Sequence, residues 1–219
     1  MQKLLITIDG PAGAGKTTVS RLLADRLGYR YIDTGALYRG IAYQAQKLGV
    51  EPDDDPAVEQ LCSRLRLDIA QTEKGLRLLA DDMDISDEIR RPEITMLASA
   101  ISARPLVRAY LLDLQRQMGK GKGVVFEGRD MGTVVFPDAD FKFFLDASTQ
   151  TRALRRFREQ TASSDQSLAD VERDIIRRDK NDSTRALSPL KAAPDAIVID
   201  SSELSIEQVV AKMIDCINL

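Results

Sequence analysis

ITIDGPAGAGKT, residues 6–17, follows the pattern G-x-x-x-x-G-K-[ST] from Gly10 to Thr17. An apolar run, Leu4 to Ile8, precedes the pattern, and apolar residues after Lys16 recur on one helical face that ends at Gly28. A strand, a glycine-rich turn and a helix in this order predict a phosphate-binding loop. Backbone N–H groups freed by glycine can then point at phosphate oxygens.

The loop is expected to bind a nucleoside triphosphate. Lys16 adds a positive charge where the phosphates would lie, and the Thr17 hydroxyl is the expected ligand of the accompanying Mg²⁺. A tight turn with nothing bound is the alternative, which the flanking strand and helix disfavour. The predicted nucleotide-binding residues are Gly10, Pro11, Ala12, Gly13, Ala14, Gly15, Lys16, Thr17 and Thr18.

Composition narrows the class of protein. The 219 residues are 43% hydrophobic, enough for a real core, and the net charge of −3 argues against a protein built to hold nucleic acid. With no charged leader and no apolar run of membrane-spanning length, the sequence predicts a cytoplasmic protein without a membrane partner. Cys62 and Cys216 are expected to be buried thiols in a reducing compartment. Without histidine, any general base must be a carboxylate or the substrate's own phosphate.

Charged residues follow several of the predicted strands. Tyr29 to Ile32 leads into Asp33 and Thr34, and Val124 to Phe126 leads into the residues Glu127-Gly128-Arg129-Asp130. Further strands are predicted at Phe141 to Leu145 and Ala196 to Ile199. Because the carboxyl ends of parallel strands line the ligand crevice of α/β folds, we expect Asp33 and Thr34 to face the same hollow as Lys16. Arg39, one turn into the next helix, is expected to reach a phosphate.

Two segments do not fit a simple alternation of strands and helices. Short alternating stretches at 65–70, 76–80 and 83–86 predict a small antiparallel meander, followed by helices that begin at Pro92 and Pro105. The second segment, Arg152 to Arg185, is rich in arginine and is broken by polar residues 160–167. Arg178, Asp182 and Arg185 would share one face if its last helix persists, which Asn181, Asp182 and Ser183 make doubtful.

Five motifs give the chain its resemblance to the nucleoside monophosphate kinases, and specifically to the bacterial cytidylate kinases. GRDMGTVVFPDA is far more specific than the phosphate loop, which marks only a superfamily. The motifs are GPAGAGKTT (10–18), DTGALYR (33–39), GRDMGTVVFPDA (128–139), FLDAS (144–148) and the RRD…D…R…PL run (177–190).

This resemblance implies an α/β P-loop NTPase fold, with five parallel core strands, flanking helices, an inserted monophosphate-binding subdomain and a mobile lid. The expected boundaries are 1–33, 104–148 and 189–219 for the core, 34–103 for the insertion and 149–188 for the lid.

The resemblance also implies roles for single residues. Lys16, Arg129, Arg178 and Arg185 would act on the transferring group. Arg39, Arg129 and Arg185 would hold the acceptor phosphate, Arg178 and Asp182 would lie near the sugar and lid, and Ser99, Arg108 and Asp130 would read the base. The full expected substrate-binding set is Asp33, Thr34, Arg39, Ser99, Arg108, Arg129, Asp130, Arg178, Asp182 and Arg185.

The implied reaction is transfer of the γ-phosphoryl group of ATP, with Mg²⁺, to CMP or dCMP, by a protein expected to be a monomer. Moving a phosphoryl group between phosphates needs positioning and charge neutralisation more than covalent chemistry, which suits the arginines. A kinase for UMP, AMP or a sugar is one alternative. A GTPase-type switch is another, but the N-K-x-D element of that class is missing, since Asp179-Lys180-Asn181-Asp182 has the wrong order and follows a predicted helix.

Overall fold

The computed structural model describes residues 3–72, 75–160 and 166–218. Within these ranges no helix is long and apolar enough to cross a membrane. Parts of two predicted loops, residues 73–74 and 161–165, lie outside the described residues.

Eight strands and eight helices make up the described fold, together with two short turns. The strands are β1 (Leu5–Asp9), β2 (Arg30–Asp33), β3 (Leu67–Thr72), β4 (Gly75–Ala80), β5 (Met83–Asp84), β6 (Val124–Gly128), β7 (Phe141–Asp146) and β8 (Ile197–Asp200). The helices are α1 (Lys16–Leu27), α2 (Thr34–Leu48), α3 (Asp55–Arg64), α4 (Pro92–Ile101), α5 (Pro105–Gly119), α6 (Thr149–Gln160), α7 (Leu168–Thr184) and α8 (Ile206–Ile217). The turns are a 3₁₀ turn at Glu88–Arg90 and a π-helical turn at Met131–Val135.

Five strands form one sheet in the order β2-β6-β1-β7-β8, which confirms the predicted parallel α/β core. Every residue of β1 is buried, as the apolar run before the glycine-rich turn predicts. β1 pairs in parallel with β6 and with β7, and this register sets Asp9 opposite Gly128. The carboxyl ends of β1 and β6 therefore meet at one edge of the sheet.

The chain divides into two compact units. The first comprises Met1–Ile32 and Gly121–Leu219, and the second comprises Asp33–Lys120. The first unit has its core between the sheet and helices α1 and α8, where Ile6, Leu23 and Val210 have no exposed surface.

The second unit has its own hydrophobic core. Helices α2 to α5 pack around fully buried side chains such as Leu37, Ile41, Ile94 and Leu111. β3, β4 and β5 form a three-stranded sheet in which both pairings are antiparallel, which confirms the predicted meander. α4 and α5 begin at Pro92 and Pro105, as predicted.

The structure differs from the sequence-based expectations for helix α7 and for the cysteines. α7 continues to Thr184 through Asn181 and Ser183, so the doubt about its persistence was misplaced, although Arg185 itself lies just beyond the helix in extended conformation. Both cysteines are free, but only Cys62 is buried, and Cys216 is partly exposed.

Candidate active site

The phosphate loop requires glycine where it passes closest to its neighbours. Gly10 has φ 148°, and a Cβ there would lie 2.0 Å from the backbone oxygen of Leu145 on β7. Gly13 has φ 77°, and a Cβ would press against Arg152 on α6 at 3.0 Å. L side chains rarely adopt such positive φ values, and at both positions a side chain would also collide, so the loop holds its shape only with glycine.

The loop ends where α1 begins. Gly15 caps α1 in the left-handed conformation and Lys16 is the first helical residue. The first N–H groups of a helix have no acceptor within it, and the helix dipole places partial positive charge there. This end of α1 is therefore suited to an anion, as the sequence predicts.

Lys16 is almost fully buried, and its Nζ donates to the backbone oxygen of Pro11 at 2.6 Å. Burial, with the nearby positive charges of Arg129 and Arg178, holds the pKa of Lys16 well below its ordinary value, while Glu127 and Asp9 act in the opposite direction. A polyphosphate beside the ammonium group would favour its charged form.

Thr17 lies beside a carboxylate at the end of β6. Its Oγ1 donates to Glu127 Oε1 at 2.9 Å, and Glu127 is buried. A hydroxyl and a carboxylate are hard oxygen donors of the kind that Mg²⁺ takes together with water and phosphate oxygens. The residues at this position therefore fit a magnesium ion.

Three arginines converge on Asp182 near the end of α7. Asp182 Oδ2 is 3.2 Å from Arg129 Nε and 4.0 Å from Arg178 Nε, and its Oδ1 is 4.0 Å from Arg185 Nη1. Arg185 Nη2 also lies 3.7 Å from Asp130 Oδ1. Five predicted site residues are thus brought together within the first unit, in a cluster whose guanidinium groups can bind phosphate oxygens bidentately.

Local structure explains why α7 presents these groups. The helix begins with a capping box in which Ser167 and Asp170 satisfy each other's backbone N–H groups. Arg178 and Asp182 lie four residues apart on one face. Beyond the helix, Arg185 Nε donates to the backbone oxygen of Ser188 at 2.6 Å, which orients its side chain.

Two arginines of α6 contact the phosphate loop. Arg152 is buried and donates to the backbone oxygens of Ala12 at 3.1 Å and Ala147 at 2.9 Å, and to Asp179 on α7 at 2.6 Å. Arg155 Nη2 donates to the backbone oxygen of Ser201 at 2.6 Å, and its Nη1 lies 3.5 Å from the backbone oxygen of Ala14. The helix is therefore held against the loop by its first two turns.

In the second unit, Asp33 and Arg39 form an ion pair at 2.7 Å. Asp33 Oδ1 also accepts from the Ala36 N–H and so caps α2, whose first residue, Thr34, is buried. A carboxylate thus holds the Arg39 guanidinium in a defined place at the start of α2.

The predicted base-reading residues fall into both units, with Asp130 in the first and Ser99 and Arg108 in the second. Arg108 donates to the backbone oxygen of Ser102 at 3.1 Å, and the Ser102 hydroxyl donates to the backbone oxygen of Ser99 at 2.9 Å. The Arg108 guanidinium also lies 5.5 Å from the centre of the Tyr38 ring. These contacts link α4, α5 and α2 within the second unit.

Sequence reasoning left out several residues that the structure places in the site. Asp9, Glu127 and Arg152 are buried beside the phosphate loop or the β6 end, and none was among the predicted site residues. For Asp9 and Glu127 a signal was present, because both stand at the carboxyl end of a buried strand. For Arg152 the signal was weaker, since four arginines crowd one short helix.

Solved structures share the fold at low identity. A shikimate kinase from Bacteroides thetaiotaomicron aligns over the full length of both chains with a TM-score of 0.53 and 15% identity. A second shikimate kinase, from Acinetobacter baumannii and in complex with shikimate, gives a TM-score of 0.51 over 99% of this chain and 94% of that one. These similarities establish the fold alone.

Curated sequences are far more similar to this chain than the solved structures are. A cytidylate kinase of Geobacter sulfurreducens is 49% identical over 211 residues, covering 96% of this chain and 91% of that protein. A cytidylate kinase of Syntrophotalea carbinolica is 44% identical over 221 residues, covering 99% and 92%. The model of the family described as cytidylate kinase matches residues 6–219. With a match over nearly its whole length, the chain belongs to the cytidylate kinase family.

Proposed function

We propose that this protein transfers the γ-phosphoryl group of ATP to CMP or dCMP. The observation that carries the proposal is the cluster of Arg129, Arg178 and Arg185 around Asp182, in the same unit as the phosphate loop. Two of its members, Arg129 and Arg178, are close enough to Lys16 to lower its pKa. A nucleotide-binding switch needs no such concentration of guanidinium groups. A transfer between two phosphates brings several negative charges into one small volume and does need it.

The chain's own residues supply positioning and charge. The phosphate loop and the start of α1 hold the ATP phosphates, and Lys16 lies where the β- and γ-phosphates meet. Arg129 and Arg185 hold the acceptor phosphate, while Arg178 stabilises the group in transfer. The acceptor is itself a phosphate oxygen, largely ionised near neutral pH, so the reaction needs no strong protein base.

The proposed reaction uses a magnesium ion together with ATP. Thr17 would contribute its hydroxyl, with Glu127 orienting that hydroxyl. The ion supplies neutralisation of the charge on the β- and γ-phosphates.

The remaining acceptor contacts stay predictions. Arg39 is proposed for the acceptor phosphate, with Asp33 and Thr34 beside it, and Ser99 and Arg108 are proposed for the base. The ion pair from Asp33 keeps the Arg39 guanidinium ordered, which is the kind of preorganisation a phosphate contact needs.

A coupled assay of ADP release, with ATP and a panel of monophosphates, tests the function. We expect turnover with CMP and dCMP well above that with UMP or AMP. Preference for UMP or AMP would assign the alternative kinase activity. Slow hydrolysis that no monophosphate accelerates would instead support a nucleotide-binding switch.

We also propose that α6 and α7, within residues 149–188, act as a lid that closes when both nucleotides are bound and keeps water from the γ-phosphoryl group. These helices contact each other through a cluster of Ala153, Phe157, Val171 and Ile175 and through the ion pair between Arg152 and Asp179. A helical pair joined by its own core and ion pair is suited to moving as a unit.

Hydrogen exchange measures this closure. With a bisubstrate analogue we expect slower exchange in α7 and in the second half of α6. The amides of β1, already central in the sheet, serve as the internal reference. Equal rates in α7 with and without the analogue would contradict the lid.

We further propose that the protein works as a monomer in the cytoplasm. Its two cysteines are free in the structure, which is compatible with a reducing compartment. Sedimentation of the purified protein tests the oligomeric state.

A further inference from the structure

Asp9 is the last residue of β1 and directly precedes the phosphate loop. Its side chain, however, binds backbone groups of the segment that follows β6. Its Oδ1 accepts from the backbone N–H of Met131 at 2.9 Å, and its Oδ2 accepts from the N–H of Gly132 at 2.8 Å. The side chain is buried, with the residue 4% exposed. One carboxylate therefore holds two successive N–H groups of a segment that is remote in sequence.

The segment held in this way follows directly on Arg129 and Asp130. It forms the π-helical turn Met131–Val135, in which the N–H groups of Val134 and Val135 bond back to the Asp130 oxygen. Because Asp9 fixes the first two N–H groups of this turn, it also restricts the backbone from which the Arg129 and Asp130 side chains project.

Burial disfavours the ionised form of Asp9. Burial raises the pKa of Asp9 to about 6, although the N–H groups of Gly132 and Met131 act to lower it. The facing charges are Asp130, which raises the pKa, and Lys16, which lowers it, and the neighbouring strand positions Gly128 and Phe144 carry no charge. Since the folded-state pKa exceeds the ordinary value of 3.8, ionised Asp9 destabilises the fold, and this loss develops as pH rises from about 4 to about 6.

We propose that Asp9 is a positioning residue for the acceptor side of the site, acting through the backbone of Met131 and Gly132 to hold Arg129 and Asp130 in place. The inference rests on the proposed function, in which those two residues bind the acceptor phosphate and base.

Asp9→Asn tests the proposal, since the amide keeps the shape but offers only one acceptor oxygen to two N–H groups. Asp140→Asn is the matched control. Asp140 Oδ2 also accepts a backbone N–H of β1, that of Leu5 at 2.7 Å, but at the opposite end of the strand. Its burial acts to raise its pKa, but the Leu5 N–H and Lys122 hold that pKa below the ordinary value, so there the carboxylate stabilises the fold.

We expect kcat/KM for CMP to fall about 10- to 100-fold in Asp9→Asn, from loss of a charge-assisted hydrogen bond and of positioning, while KM for ATP changes less than about threefold. The melting temperature at about pH 7.5 should change little, because removal of the buried ionised group offsets the N–H group that the amide leaves without an acceptor. Asp140→Asn should show the reverse, with a lower melting temperature and unchanged turnover per folded molecule. Equal increases in KM for ATP and CMP, or wild-type kinetics in Asp9→Asn, would overturn the proposal.

A second readout needs no substrate. In NMR spectra of the wild type, the Met131 and Gly132 amides should shift with a midpoint at about pH 6, and this shift should vanish in Asp9→Asn. Met131 and Gly132 amide shifts that are the same in the wild type and in Asp9→Asn at every pH would refute the Asp9 contact. This measurement decides on Asp9 even if the assay shows that the protein phosphorylates a different acceptor.

Discussion

Lys16→Ala is expected to leave a folded protein whose phosphoryl transfer is slower by roughly three orders of magnitude or more. The reason is electrostatic. Lys16 is buried at the start of α1, where a bound triphosphate would be screened little by water, so a missing positive charge is not replaced by solvent. Single-turnover kinetics with saturating ATP and CMP measure the effect on the chemical step.

Lys142→Met is the control for this substitution. Lys142 is also buried, and its Nζ pairs with Asp195 at 2.7 Å, away from the loop. The control removes a buried ammonium group but keeps an unbranched apolar side chain, and it should lower stability without slowing transfer. Near-normal turnover in Lys16→Ala would remove the loop lysine from the mechanism.

Asp130→Asn is expected to reduce the preference for CMP over UMP by about 100-fold or more. Cytosine presents an N4 amine where uracil presents a carbonyl oxygen, and a buried carboxylate accepts a hydrogen bond from the first but faces the second with no donor. Asp130 is 3% exposed, so water would not separate its carboxylate from the uracil oxygen. An amide can turn either its oxygen or its nitrogen toward the base and so loses the distinction.

The ratio of kcat/KM for the two acceptors measures this loss, because it cancels effects common to both. Asp138→Asn, an exposed position in the same motif, should leave the ratio unchanged. An unaltered ratio in Asp130→Asn would show that Asp130 does not read the base.

Much of the fold follows from local pattern. The parallel sheet was predictable because apolar runs, glycine turns and amphipathic helices alternate, and the meander because its period changes to two. The convergence of Arg129, Arg178 and Arg185 was only partly predictable. The sequence places Arg178 near Asp182, but Arg129 directly follows β6, 53 residues away from Asp182.

The remaining features depend on contacts that no local pattern contains. Helix α7 persists through Asn181 and Ser183 because Asp182 is held by arginines from outside the helix, which outweighs weak local propensity. The π-helical turn after Asp130 is stabilised by Asp9, 122 residues earlier. Which arginine of α6 reaches the loop depends on how α6 packs against α7 through Ala153 and Val171.

The position of β1 in the sheet has a consequence for how the chain acquires its structure during synthesis. β1 lies between β6 and β7, and its partners Val124 and Phe141 leave the ribosome more than a hundred residues after Leu5 and Ile6. Asp33–Lys120, by contrast, packs within itself and is complete before β6 is made. Pairing between strands that are distant in sequence costs loop-closure entropy before any contact forms. The unit Asp33–Lys120 is therefore expected to fold first. The phosphate loop gains its framework only when β6 and β7 arrive, so a nascent chain that has emerged from the ribosome as far as Lys120 would hold a folded unit but could not yet bind nucleotide.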